Sequence, residues 1–322
     1  MQIKCRVNPL LPAAQFKYAV ILRTAATSHH YVLLRDYFMA STSDLDMLVN
    51  RLAASLKNDN LMIPAMPELV SKLSRLVGNP NLTTKELARV IGSDTGVTAQ
   101  VIRMSQTLRY SNPGTTITSL PAAISRIGLN STVSMALALA IEQSFYFRNP
   151  VVVRYCHAEL ARGFMICSYA LTICSLRYGI MPNLVFDYVV LASALLNIGY
   201  LPFLVEVDTY VLAQGKSYSL EYDALRAAAD KIRYPLGTAI LRHWRFDKSF
   251  ESVMSQEPDN TVEFYTNSLA FARQFIEYAE ANGIPVHEPA TPEESYAPLT
   301  DEESVARIRS WMREQGLVDE RE

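Results

Sequence analysis

The 322-residue sequence is poor in several things, and each absence removes a class of protein. It has four cysteines, Cys5, Cys156, Cys167 and Cys174, with no CxxC pair, so neither a zinc ribbon nor a thioredoxin-type redox centre has a scaffold. Three of the four lie among Ala, Leu and Ile, the setting of reduced core thiols. Only 12 glycines and 16 prolines argue against collagen-like, repeat or low-complexity folds. Net charge is −2, from 30 basic and 32 acidic residues, so the long-range attraction of a dedicated nucleic-acid coat is missing. The N-terminal MQIKCRVNPLLPAAQFKYAV lacks an apolar run followed by a small-residue cleavage site, and no secretory signal is expected.

What the chain has is apolar content, at 49%, with 19% charged residues, enough to bury a large core. Two stretches invite a membrane test. Gly163–Leu176 is uncharged but 14 residues long, short of the roughly 18–20 that a crossing needs. Tyr188–Val205 reaches 18 residues, but Asn197, Gly199 and Pro202 interrupt it. Both read as core helices, and the expected location is the cytoplasm.

Apolar residues recur at helical spacing, and alternating Val/Ile/Thr segments with Asn-Gly turns are missing, so the fold is all-α, a compact multi-helix bundle. Residues 1–60 form an N-terminal helical module with candidate helices Ala14–Thr24, Tyr31–Met39 and Leu45–Leu56, ending at the polar Lys57-Asn58-Asp59-Asn60 break. The main domain spans 61–281. Its helices are expected to open at Pro67-Glu68, at Lys85 under a Thr84 cap and at Gly96. Further ones cover Ser119–Ile127, Ser131–Phe147, Val152–Tyr178, Val185–Leu196, Leu220–Arg233, Leu236–Trp244 and Val262–Ala281. Residues 282–322 carry ten carboxylates against four arginines, a net of −6. Their first half is a Pro/Gly-rich linker; after Thr300, Val305, Ile308, Trp311 and Met312 make a narrow stripe on an acidic helix that either docks or stays solvated.

Residues 84–104 imitate a helix-turn-helix through Ala88, Gly92 and Val97. Base reading needs donors at the start of the second helix, and only Gln100 and Arg103 are offered there. Ordinary αα packing explains the same spacing; a nucleic-acid-binding regulator remains as an alternative.

Several segments in order resemble the HDOD (HD-related output domain) family. These are Met66-Pro67-Glu68-Leu69; Ile91 to Met104, with its Ser93-Asp94-Thr95-Gly96-Val97-Thr98 helix start; Ile117 to Gly128; Ser193 to Gly199; and Gly237 to Trp244. The departures are Thr95 for the usual Pro and Gln106-Thr107 for Asn-Ser. The resemblance covers about residues 61–281 and implies an all-α signalling domain related to HD-type metal-dependent phosphohydrolases.

Those hydrolases hold a divalent ion with an early His, a His-Asp pair and a later Asp, since phosphoester hydrolysis needs a metal-bound water and a charge clamp. At the pair this chain has Leu196 and Asn197, which replace an imidazole by a hydrocarbon and a carboxylate by a neutral amide. His157 aligns with the early His, and Arg233 stands where the family often has another. The resemblance thus implies a vestigial cleft at His157, Leu196, Asn197 and Arg233, with no catalytic residue, no metal and no cofactor. The usual late His-His falls near Gln256-Glu257-Pro258; His29-His30 and His243 read as surface or helix-face residues. GxSxG, GxxxxGK[ST] and GxGxxG motifs are missing. The leading expectation is a non-enzymatic signal-transduction output or scaffold protein with a signalling-protein partner or a small ligand. The alternative is a phosphohydrolase whose metal site is rebuilt from Asp187, Glu206 or Asp208.

Overall fold

A computed structural model describes residues 42–318 other than 64, 108–109, 111–116, 144–145, 216–218, 255–257, 260 and 290–291. Cys5, His29-His30 and the helices expected at Ala14–Thr24 and Tyr31–Met39 lie outside the described residues, as do Gln256 and Glu257.

The fold is all-α. Its helices are α1 (Thr42–Lys57), α2 (Glu68–Ser74), α3 (Thr84–Ile91), α4 (Thr95–Met104), α5 (Leu120–Ile127), α6 (Leu129–Glu142), α7 (Pro150–Tyr178), α8 (Asn183–Leu195), α9 (Tyr200–Gln214), α10 (Tyr222–His243), α11 (Ser268–Ala281), α12 (Pro292–Ser295) and α13 (Glu302–Glu314). Two short 3₁₀ segments, Lys248–Met254 and Phe264–Asn267, join α10 to α11.

The centre is the α6–α8 pair. Every residue from Ser131 to Ile141 is buried, as is nearly every residue from Val185 to Leu195, so both mainly apolar helices are covered on all sides. Helix α2 covers α6, α7 flanks α8, α11 packs on α7, and α9 crosses α10. Helix α1 lies on α10 and α9, with Leu45, Leu48 and Leu52 buried there. Gly128, at φ +95°, breaks α5 from α6 and lets the chain bend by 114°.

By length and composition α7 and the stretch 183–214 could each cross a membrane; in this fold 61% and 94% of their apolar windows are buried inside the protein. The second stretch is two helices. Asn197-Ile198-Gly199 breaks it, and Pro202 sits in the first turn of α9, where its missing N–H costs nothing.

Local chemistry departs from sequence expectation in two places and settles an alternative in a third. Thr83, not Thr84, caps α3, accepting from the Glu86 N–H at 3.2 Å. The helices expected at Leu220–Arg233 and Leu236–Trp244 are one, α10, running through Pro235. The apolar stripe Leu225, Ala228, Ala229, Ile232, Leu236, Ile240 continues unbroken at spacings of three and four, so burial outweighs the one backbone bond that proline removes. Of the two states left open for the segment after Asn282, the docked one is observed, and its expected linker contains the short α12. Ile308, Trp311 and Met312 of α13 are buried, and the extended part before it is pinned along α7.

Candidate functional site

Helix α7 starts at a well-made cap. The Asn149 side chain accepts from Val151 and Val152 N–H at 2.9 and 3.3 Å, Pro150 takes the first turn, and the Asp208 carboxylate accepts from Arg148 and Asn149 N–H at 3.1 and 2.7 Å. Three turns on, Gly163 faces the α8–α9 break. A Cβ at Gly163 would lie 2.6 Å from Asn197 Nδ2, so only glycine admits that buried amide, which donates to the Glu159 carbonyl at 3.0 Å. Gly199 lets α9 meet α10 at backbone contact: its Cβ would lie 1.9 Å from the Arg233 carbonyl oxygen. Two glycines therefore set Asn197 and Arg233 against Glu159.

Between these elements lies a cavity of about 290 Å³, lined by Leu196, Asn197 and Arg233. Its other charged walls are Glu159, Arg162, Arg226, Asp230, Arg273 and Glu277. The Arg233 guanidinium occupies the corner. Its Nη1 is 4.0 Å from Glu159 Oε2 and 3.8 Å from Asp230 Oδ1, and it donates to the Tyr200 and Tyr234 hydroxyls. Tyr200 Oη lies 3.2 Å from both Glu159 Oε2 and Asp230 Oδ1, and its single proton serves one of them at a time. Arg273, 7% exposed, donates to Tyr234 Oη at 2.9 Å.

Burial dominates the electrostatics. It raises the Glu159 carboxyl above its ordinary range, opposed by Arg233 and the Tyr200 hydrogen bond. It pushes the Tyr200 hydroxyl up, and lowers the Arg273 guanidinium from its ordinary value. Behind Asn197, Glu142 receives the Tyr296 hydroxyl and is pushed up to about 8 by burial. The buried thiols of Cys156, Cys167 and Cys174 are free, each pushed up to about 12 by burial, and behave as core apolar groups.

Leu196, Asn197 and Arg233 come together at the cavity. His157 does not: it is exposed on α7 and absent from the lining, which Glu159 supplies instead. Two residues along a helix are about 200° apart, so one face cannot carry both. Of the three acids considered for a rebuilt metal site, Glu206 pairs with Arg51 and Asp208 holds the start of α7, while Asp187 is not part of the cavity lining. Among the described residues no three His, Cys, Asp or Glu side chains gather as a metal-binding group. The donor set does not fit a divalent ion: four guanidinium groups face the cavity, and Glu159 and Asp230 already neutralise one of them. Sequence reasoning missed Glu159, Arg162, Arg226, Asp230 and Arg273; the signal available was their spacing, Glu159-x-x-Arg162-Gly163 on α7 and Arg226-x-x-x-Asp230-x-x-Arg233 on α10. In the helix-turn-helix-like α3–α4 segment, Gln100 turns its Oε1 away from solvent.

The comparisons agree with this architecture. The chain resembles a crystal structure from Shewanella amazonensis SB2B, provisionally named a metal-dependent phosphohydrolase. The two share 23% identity at a TM-score of 0.63 over 83% of this chain and 99% of that one, a likeness of fold alone. Weaker likenesses include an HDOD domain protein of unknown function from Geobacter sulfurreducens (16% identity, TM-score 0.49, 85% and 96% covered). Another is a protein from Marinobacter aquaeolei VT8, provisionally named for signal transduction (18%, 0.48, 90% and 68%). No curated protein matches. The HDOD domain model matches residues 63–259, more than half of the chain, and with the all-α fold and the ordered motifs from Met66 to Trp244 this establishes that the chain belongs to the HDOD family.

Proposed function

We propose that this chain is a non-enzymatic output protein of a cytoplasmic signalling pathway, working by binding a protein partner or a small ligand rather than by hydrolysing one. The observation that carries this reading is Arg233. A divalent ion in a hydrolase cleft concentrates positive charge, draws carboxylates round it and activates a water. Here a covalently fixed, permanently charged guanidinium takes the carboxylates, Glu159 and Asp230, and has no capacity to ionise a bound water. Leu196 adds no lone pair and Asn197 spends its amide N–H on the Glu159 carbonyl. Family membership supports a signalling role, and the burial of the two longest apolar stretches supports the cytoplasm.

The test is a panel of phosphomonoesters, phosphodiesters and cyclic nucleotides incubated with the purified chain and added Mn²⁺ or Mg²⁺. The expected result is no turnover above the buffer rate. Turnover that disappears in Arg233→Ala or Asn197→Ala would establish a hydrolase with a rebuilt centre and overturn the proposal.

A further inference from the structure

We propose that the Arg233 cleft is a binding site for a phosphomonoester, with the phosphate in the arginine-lined cavity and an apolar body in the groove beside it. This deepens the non-hydrolytic reading above and rests on it. Arg233 is committed to Glu159, Asp230 and two tyrosine hydroxyls; Arg162, Arg226 and Arg273, the last also held by the Tyr234 hydroxyl, are the further cations on the cavity wall. Glu277 is the remaining carboxylate there, so positive charge exceeds negative by one. Arg162 sits 3.6 Å from Glu280 at the rim, a distance at which the pair opens easily to an incoming anion. Arg226 is exposed, and Arg273 is buried with its charge penalised by desolvation, a cost that a bound dianion would relieve. Asn197 and Gln274 add neutral polar groups.

A second groove of about 440 Å³ shares the Glu159, Arg162 and Arg226 wall. Its remaining surface includes Phe164, Met165, Tyr222, Val286 and Pro289, apolar or aromatic side chains that suit a ring, together with the carboxylates Glu280 and Glu288, which repel a second phosphate. The two spaces meeting at one pair of arginines match a ligand with a charged head and a flat apolar body. Val286 and Pro289 belong to the docked C-terminal segment, so the ligand would touch both the family-matched domain and the piece that follows it.

Isothermal titration of the full chain with inorganic phosphate and, separately, with phenyl phosphate, in a phosphate-free buffer at low ionic strength, tests this. Released phosphate is measured in the same samples. The proposal expects saturable binding of both probes, phenyl phosphate the tighter by about tenfold, and a further loss of about tenfold in Arg226→Gln, whose exposed side chain keeps the fold out of the question. Arg162→Gln should weaken both probes in the same direction. Lack of binding at millimolar concentration, or binding that neither variant alters, overturns the site while leaving the non-hydrolytic reading intact. Equal affinity for the two probes overturns the groove's part in it. Phosphate released from phenyl phosphate would overturn the underlying reading instead.

Discussion

Helix α7 has two halves with opposite chemistry. The first, through Glu159, Arg162 and Gly163, borders a charged cleft in which every carboxylate has a cation nearby. The second, from Cys167 to Cys174, is sealed, and its polar atoms hold backbone. Ser168 Oγ donates to the Ser295 carbonyl at 3.1 Å, Tyr169 Oη accepts from His287 N–H at 2.8 Å, and Thr172 Oγ1 accepts from Leu299 N–H at 2.8 Å. The segment from His287 to Leu299, which includes the short α12, is thereby fixed by hydroxyls of α7, and Phe275 and Trp311 meet edge to face at 5.5 Å. The lesson is that the chain spends its charges where water or a ligand reaches and its hydroxyls where neither does, since an unpaired buried N–H costs about 1–3 kcal/mol.

Four substitutions break or sharpen that contrast. Gly199→Ala should do the most damage, more than about 3 kcal/mol, because the new methyl meets the Arg233 carbonyl, a backbone atom that cannot step aside. Urea denaturation should show it, and a loss below about 1 kcal/mol would mean that α9 and α10 are not in backbone contact.

Next is a pH effect at the junction of the halves. The Glu142 carboxyl is raised to about 8 in the folded chain, against an ordinary value of 4.5. The folded state therefore holds this proton more tightly than the unfolded one. Its contribution is complete below about pH 4.5 and is lost as pH climbs through 8. Relative to Glu142→Gln, the natural chain should lose about 2–3 kcal/mol between pH 5 and pH 8. Parallel stability curves for the two would contradict it.

Gly163→Ala gains helix propensity but pushes a methyl to within 2.6 Å of the Asn197 amide, for a net loss of about 2 kcal/mol. The matching control, Gly163→Ala with Asn197→Ala, should recover part of that loss in thermal melts. Thr172→Val leaves the Leu299 N–H without its acceptor at a cost of about 1.5 kcal/mol, and hydrogen exchange at Leu299 should quicken while exchange in α8 stays unchanged.

The sequence made the helices legible because their apolar spacing is regular, and it made the corner at Leu196, Asn197 and Arg233 legible because motif order placed it. It hid four things, each for a physical reason. Pro235 reads as a stop, but a stripe of buried residues on both sides holds α10 together. Asn197-Ile198-Gly199 does end a helix, but Pro202, which reads as part of the same interruption, lies in the first turn of α9. His157 drew attention as the residue with chemistry to offer, yet helical geometry turns it outward and presents Glu159. The cavity's arginines come from three helices far apart in sequence, so local spacing on α7 and α10 announces Arg162, Arg226 and Arg233, whereas Arg273 lies beyond the matched 63–259 segment and has no such signal.

The proposed replacement of a hydrolase's ion by the Arg233 guanidinium is open to equilibrium dialysis of the purified chain against Mn²⁺ at neutral pH. No saturable uptake is expected in the natural chain. One ion bound per chain, released on substitution of Glu159 or Asn197, would contradict it.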